Sequence, residues 1–126
     1  MTAGTPTARA VAVYWLPVAA YCALLFVLSG QPGDSTLPLG GADKIVHFAA
    51  YAGLGFLSAR AFARAGPGLS ARATFLAAAS FAALYGATDE LHQYFVPGRF
   101  ASVADWGADA LGAVAASALY AWKGLA

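Results

Sequence analysis

The chain has 126 residues, of which 60% are apolar and only 10% are charged. A soluble globular domain usually carries about 25% charged residues, so this composition argues against a small water-soluble protein. The formal net charge of +1 gives no indication of a nucleic-acid-binding surface. We therefore expect one domain embedded in a lipid membrane, where apolar side chains can face the surroundings.

The first apolar run, residues 11–28, contains no charged side chain and is long enough to span a bilayer. A cleaved signal peptide is the competing interpretation, with Arg9 as its basic segment. However, the run is longer than the apolar core of such peptides, about 7–15 residues, and no clear cleavage site follows it. We predict a retained helix over about residues 10–29. The single cysteine, Cys22, lies in this run, so no disulfide framework is expected.

Three further apolar runs predict helices over about residues 44–63, 73–95 and 105–122. Segments containing proline and glycine separate the runs at residues 32–33, 40–41, 66–68 and 97–98. Such short connections favour antiparallel neighbours. The sequence therefore predicts an all-α fold, an integral membrane four-helix up-down bundle formed by a single domain over residues 1–126.

Basic residues are unevenly divided between the two predicted ends of the bundle. The end with both termini and the middle loop contains Arg9, Arg60, Arg64, Arg72 and Lys123. The opposite end contains only Lys44 and Arg99. Because cytoplasmic loops of membrane proteins are enriched in Lys and Arg, we predict that both termini are cytoplasmic.

Ionisable side chains lie at a similar depth in three of the helices. Counted from the outer helix ends at about 1.5 Å per residue, His47 and Asp109 lie about 6 Å deep. On the same scale, Asp89 and Glu90 lie about 8–9 Å deep. A carboxylate in apolar surroundings costs about 2.5–3.5 kcal/mol even on the mildest insertion scale. These acids should therefore face the bundle interior, in a functional site or a buried ion pair. The first helix is expected to add little beyond the rim at residues 29–32.

Acidic side chains outnumber basic ones at this depth. The four acids are Asp89, Glu90, Asp105 and Asp109, and the two bases are Lys44 and Arg99. The remaining negative charge must be met by protonated carboxyls, a charged histidine or a bound cation. Each of these outcomes suits a functional site better than a passive core.

Some of these residues also have a purely structural interpretation. Asp43 is most simply the N-cap of the second helix. Ser102 and Asp105 have the spacing of a capping box, so structural and catalytic roles for Asp105 both stay open. Tyr51 suits packing, and His92, near the predicted interface, is expected to be solvated.

Three motifs carry a family resemblance. They are Asp43-Lys44-x-x-His47-Phe48-x-x-Tyr51, then Asp89-Glu90-x-x-Gln93-x-Phe95-x-Pro97-Gly98-Arg99, then Ser102-x-x-Asp105 with Gly112. Together they resemble the VanZ-like family over about residues 29–112, although Asp109 stands where family members often carry Asn. The resemblance implies a small multi-pass protein of the bacterial plasma membrane with a site at the motif residues. The name-giving member is linked to teicoplanin resistance, but no reaction follows from the resemblance.

The main functional hypothesis is an intramembrane hydrolase or transferase that acts on a membrane lipid or a lipid-linked cell-envelope precursor. Its catalytic residues would be Asp89, Glu90, His47, Asp105 and Asp109, with Glu90 or Asp89 as general base. Its substrate-binding residues would be Lys44, Arg99, Gln93, Ser102 and Tyr51. Arg99 would offer a planar set of donors to an anionic headgroup. The cofactor stays unknown, and no metal ligands are predicted because no known ligand spacing appears; a metal on Asp89, Glu90, His92 or His47 is a variant.

Two alternatives use the same residues differently. A non-catalytic module would only hold a lipid headgroup, an envelope precursor or a drug, or would support a membrane complex as an accessory subunit. A small cation- or proton-coupled transporter is the other alternative, because buried acids mark such pathways. Four helices are few for a conduit, so a transporter would require a dimer, and a homo-oligomer is left open. Nucleic acid is not expected as a partner.

Overall fold

The computed structural model of the protein describes residues 5–31 and 42–123. The described ranges contain four α-helices and no β-strand. The helices are α1 (Ala8–Ser29), α2 (Ala42–Ala65), α3 (Ala71–Tyr94) and α4 (Val103–Trp122). The prediction of an all-α chain with four helices is confirmed. Each helix starts two residues earlier than the apolar pattern indicated, since a first turn tolerates polar and small residues that the pattern excludes.

Hydroxyl side chains define three of the helix starts. Thr7, Ser70 and Ser102 each accept a hydrogen bond at 3.1 Å from the backbone amide three residues ahead, as N-caps do. The prediction that Asp43 caps α2 is wrong, because α2 begins at Ala42 and Asp43 lies within its first turn. Of the predicted connections, residues 66–68 and 97–98 lie between helices, and Gly68 and Gly98 adopt positive φ angles. Residues 32–33 and 40–41 lie outside the described residues.

The helices alternate in direction along the chain. Trp15 near the start of α1 packs on Phe62 near the end of α2, with ring centroids 4.9 Å apart. Phe75 near the start of α3 packs on Trp122 at the end of α4, at 4.8 Å. Ser29 at the end of α1 bonds to His92 near the end of α3, so α1 and α3 run one way, and α2 and α4 run the other way.

The parallel helices α2 and α4 approach each other closely through small residues. A Cβ atom added at Gly55 would lie 2.6 Å from the carbonyl oxygen of Ala113, and one added at Gly112 would overlap the backbone of Phe48. The hydroxyl of Ser117 also donates to the carbonyl of Gly55 at 3.3 Å. We call Gly55, Gly112, Ala113 and Ser117 the glycine seam. Close backbone approach at small residues is typical of packed membrane helices.

Apolar side chains cover the outside of the four helices, while several charged ones are inside. Leu16, Ile45, Leu84 and Leu111, one from each helix, are 65%, 69%, 68% and 65% exposed. The buried polar residues include Asp89, Glu90, Gln93, Asp105 and Asp109. Within the described residues, α1 and residues 43–65 of α2 are long and apolar enough to cross a membrane. Helices α3 and α4, which carry the buried acids, do not meet the same requirement of length and hydropathy.

Candidate functional site

Eight predicted site residues gather at one end of the bundle, where α2 and α4 begin and α3 ends. We call this set the polar layer: Lys44, His47, Tyr51, Asp89, Glu90, Gln93, Asp105 and Asp109. Its members come from three helices, as the depth argument predicted. Ser102 caps α4 at its edge, and Arg99 lies in the connection between α3 and α4.

The deepest contact of the layer joins His47 to Asp109. Nδ1 of His47 lies 2.8 Å from Oδ1 of Asp109, and Asp109 is completely buried. Gly86 of α3 makes room for this carboxylate, because a Cβ there would lie 3.3 Å from Oδ2 of Asp109. That second oxygen has no hydrogen-bond partner. The sequence drew no attention to Gly86, although it precedes Glu90 by one helical turn.

The two adjacent acids of α3 have different partners, because successive residues of a helix point about 100° apart. The hydroxyl of Tyr51 donates to Oδ2 of Asp89 at 2.9 Å, and both residues are buried. Glu90 instead accepts from the backbone amide of Ser102 at 2.9 Å through Oε2, while its Oε1 has no partner. Tyr51 therefore positions a carboxylate in addition to packing.

The capping box at the start of α4 is only half formed within that helix. Ser102 accepts from the amide of Asp105, as predicted. The carboxylate of Asp105 does not return to Ser102; it accepts a hydrogen bond from the ammonium of Lys44. A charged donor competes well for a carboxylate, and Glu90 satisfies the Ser102 amide in its place.

Lys44 and its acidic neighbours form the exposed edge of the layer. The ammonium of Lys44 also lies 3.6 Å from Asp43. Nε2 of His47 is 3.7 Å from a carboxylate oxygen of Asp43 and 3.8 Å from one of Asp105. Asp43 thus joins the charged contacts, a role that its interpretation as a helix cap concealed.

A cavity of about 120 Å³ opens beside the layer. Its polar lining residues are Ser29, His47, Tyr51, Asp89, Gln93 and Arg99. Arg99 donates from Nη2 to the carbonyl of Leu28 at 3.0 Å, and its buried Nε has no partner. Among the described residues Arg99 forms no ion pair with a carboxylate. In the described ranges, the alternative of a buried ion pair therefore applies to Lys44 and not to Arg99.

Helix α1 contributes more to this cavity than the sequence indicated. Leu25 and Leu28 line it together with Ser29. Ser29 also hydrogen-bonds to Nδ1 of His92 at 2.9 Å, and the His92 ring stacks on Phe26 with centroids 4.3 Å apart. His92 therefore joins α3 to α1 outside the polar layer, and the expectation that it is simply solvated is wrong.

A second cavity, of about 350 Å³, lies between α3 and α4 and is mostly apolar. Its lining residues are Ala87, Glu90, Leu91, Tyr94, Ala101, Ser102, Val103 and Trp106. Glu90 and Ser102 are its polar members at the edge of the layer. Glu90 thus lines this larger, mostly apolar cavity, whereas Asp89 lines the smaller polar cavity.

One family model matches residues 7–124, nearly the whole chain, and its description is VanZ/LLP1. The match confirms the family that the three sequence motifs resembled. Neither a curated protein nor a solved structure matches the chain.

Proposed function

The chain belongs to the VanZ/LLP1 family, and we propose that it is a multi-pass protein of the bacterial plasma membrane that acts on an anionic lipid or lipid-linked cell-envelope substrate. The proposal rests on one observation above all. The guanidinium of Arg99, which has no carboxylate partner among the described residues, lines the same cavity as the buried acid Asp89.

Membrane embedding is supported by the distribution of side chains. Large apolar residues are exposed on every helix, and carboxylates are buried between helices. This arrangement is unfavourable in water. In a lipid bilayer it is favourable, because the apolar side chains face lipid and the carboxylates are kept out of contact with it.

The direction of insertion follows from the basic residues. Arg60 lies over the ring of Tyr14, with its Cζ 4.9 Å from the ring centroid, at the end of the bundle opposite Lys44 and Arg99. By the positive-inside rule this more basic end is cytoplasmic, and the polar layer lies near the outer leaflet.

Cysteine labelling in whole cells tests this orientation. In a Cys22→Ala background, a membrane-impermeant maleimide should label Ala101→Cys in intact cells. It should label Pro67→Cys only after lysis, since residue 67 lies in the middle connection. The reverse pattern would place the polar layer at the cytoplasmic face.

The substrate is expected to present an anionic group such as a phosphate. Arginine binds phosphate through paired, charge-assisted hydrogen bonds. The buried Nε–H of Arg99 has no partner among the described residues and is available to donate such a bond. The cavity volume of about 120 Å³ is well below the roughly 300–1,000 Å³ of sites for drug-sized molecules. A headgroup fits this volume better than a glycopeptide does. A contribution to teicoplanin resistance would therefore act through the envelope and not through capture of the drug.

Asp89 is the preferred general base of the two adjacent acids. It lines the cavity with Arg99, and the Tyr51 hydroxyl holds one of its oxygens at 2.9 Å. From this position it can accept a proton from an attacking water or hydroxyl while Arg99 binds the anionic headgroup. The chemistry proposed is hydrolysis or group transfer at that headgroup.

Rescue of a deletion strain tests the proposal. Membrane lipids and lipid-linked precursors are compared in cells that lack the protein and in cells that express wild type, Asp89→Asn or Arg99→Gln. We expect a species that accumulates in the deletion strain to persist with both variants and to disappear with wild type. Thr88→Val is the matched control, because Thr88 is exposed and bonds only to the carbonyl of Tyr85. Restoration by Asp89→Asn and Arg99→Gln would contradict the proposal.

A non-catalytic binding role is the second candidate, and one observation favours it. Asp89, Asp105 and Asp109 are each already held by a neighbouring side chain, as in a fixed recognition site. Asp89→Glu separates the two functions, because displacement of a catalytic group by about 1 Å can cost about 100-fold in rate. A binding module should tolerate this change in the same rescue assay.

A further inference from the structure

Two buried carboxylate oxygens in the polar layer lack a hydrogen-bond partner among the described residues. They are Oε1 of Glu90 and Oδ2 of Asp109. Glu90 is 7% exposed and Asp109 is 0% exposed, so bulk water does not compensate these acceptors. Buried polar atoms are nearly always satisfied in folded proteins, and an exception often marks the place of a water or an ion.

His47 lies close to both of these carboxyl groups. His47, Glu90 and Asp109 each offer one ligand atom, and the three atoms lie within 4.8 Å of one another. Ligands about 2.0–2.2 Å from a metal ion can be roughly 4 Å apart, so small side-chain adjustments would close the set around one ion. We propose that His47, Glu90 and Asp109 bind a single divalent transition-metal ion in the interior of the bundle.

The charged side chains nearby favour this group of three residues over a second possible metal site in the polar layer. A second group, Asp43, His47 and Asp105, is similarly close, but the ammonium of Lys44 already lies among its carboxylates. Among the described residues, Glu90 and Asp109 form no ion pair with a lysine or arginine. A metal ion can therefore bind Glu90 and Asp109 without displacing a lysine or arginine from them.

The surrounding contacts orient the free oxygens. The Ser102 amide holds Oε2 of Glu90 at 2.9 Å and leaves Oε1 available. Nδ1 of His47 holds Oδ1 of Asp109 at 2.8 Å, which leaves Oδ2 of Asp109 and Nε2 of His47 available. Fixing one atom of a ligand while the other faces the metal is a common feature of metal sites. One imidazole and two carboxylates suit Zn²⁺ or Mn²⁺, with water in the remaining positions.

This inference is independent of the proposed function, because Arg99 and Asp89 can act on a headgroup without a metal. The test uses the full chain in lipid nanodiscs, stripped with a chelator and then equilibrated with ZnCl₂ or MnCl₂ alone. Elemental analysis then gives the metal content per chain. We expect one equivalent for wild type and at least about tenfold weaker binding for Glu90→Gln and Asp109→Asn.

Two control variants and one replacement ligand make the result decisive. His92→Gln removes the chain's other histidine, and Asp89→Asn removes the neighbouring acid; both should bind metal as wild type does. Glu90→His replaces one ligand by another and should restore Zn²⁺ binding, which separates lost coordination from a misfolded bundle. The proposal is overturned if wild type binds no stoichiometric metal, or if helical Glu90→Gln protein binds it with unchanged affinity.

Discussion

Helices α2 and α4 contact each other in two chemically different regions. At the end that carries the polar layer the contacts are charged or polar: Lys44 with Asp105, and His47 with Asp109. Further along, the glycine seam brings one backbone against the other with almost no side chain between them. Gly112 lies one helical turn from Asp109 on the same face of α4. The close approach at the seam therefore sets the spacing at which the polar layer can form.

The largest effect is expected from filling the seam. Gly112→Ala places a Cβ against the backbone of Phe48 and Ala52, so the helices must separate. We expect a loss of about 3 kcal/mol in the free energy of unfolding, the upper end of the overpacking range. Reversible unfolding in mild detergent, followed by circular dichroism, measures it.

Gly107 provides the matched control on the same helix. A Cβ added there meets nothing within 4 Å, so Gly107→Ala should stabilise α4 by up to about 1 kcal/mol through helix propensity. Equal effects at the two glycines would show that the seam does not depend on close packing.

The next largest effect is expected in the polar layer at Asp109. Asp109→Leu leaves Nδ1 of the partly buried His47 without this partner and should cost about 2 kcal/mol. Asp109→Asn keeps an oxygen that can accept from His47, so it should cost less than half as much in the same unfolding measurement. A larger loss for Asn than for Leu would mean that the carboxylate charge, and not the hydrogen bond, stabilises this contact.

A smaller effect is expected from the hydroxyl of Tyr51. Tyr51→Phe removes the hydrogen bond to Asp89 and should lower the free energy of unfolding by about 1 kcal/mol. It should also impair rescue of the deletion strain, because Asp89 loses its fixed position. Tyr94→Phe, on an exposed ring of the same bundle end, should change neither result.

The smallest effect is expected from the one polar contact in the seam. Ser117 donates to the Gly55 carbonyl over 3.3 Å, a long hydrogen bond. Ser117→Ala loses this bond but gains helix propensity, so its free energy of unfolding should stay within about 0.5 kcal/mol of wild type. A loss above about 1 kcal/mol would show that the seam depends on hydrogen bonding as well as on backbone contact.

The helices and the members of the polar layer could be predicted from sequence, because each depends only on the order of apolar and charged residues along the chain. Apolar runs set the helices, and a carboxylate in such a run has to turn inward. His47, Asp89 and Asp109 were found in this way.

The partner of each side chain could not be predicted, because it depends on helix rotation and on competition between donors. The carboxylate of Asp105 accepts from the ammonium of Lys44 and not from the Ser102 amide. The Ser102 amide donates to the carboxylate of Glu90 instead. Arg99 bonds to the Leu28 carbonyl of α1, a group that the sequence does not distinguish from any other backbone oxygen. The membrane orientation and the substrate remain predictions.

The bond between Glu90 and the Ser102 amide also has a consequence for how the chain assembles. It joins residues 12 positions apart and supplies, from α3, the carboxylate that a capping box would place within α4. Starting a helix is the costly step of its formation, and here the preceding helix provides part of the nucleus. During synthesis Glu90 emerges before α4 does, so α3 should be in place to start it. We expect α3 and α4 to insert as one hairpin.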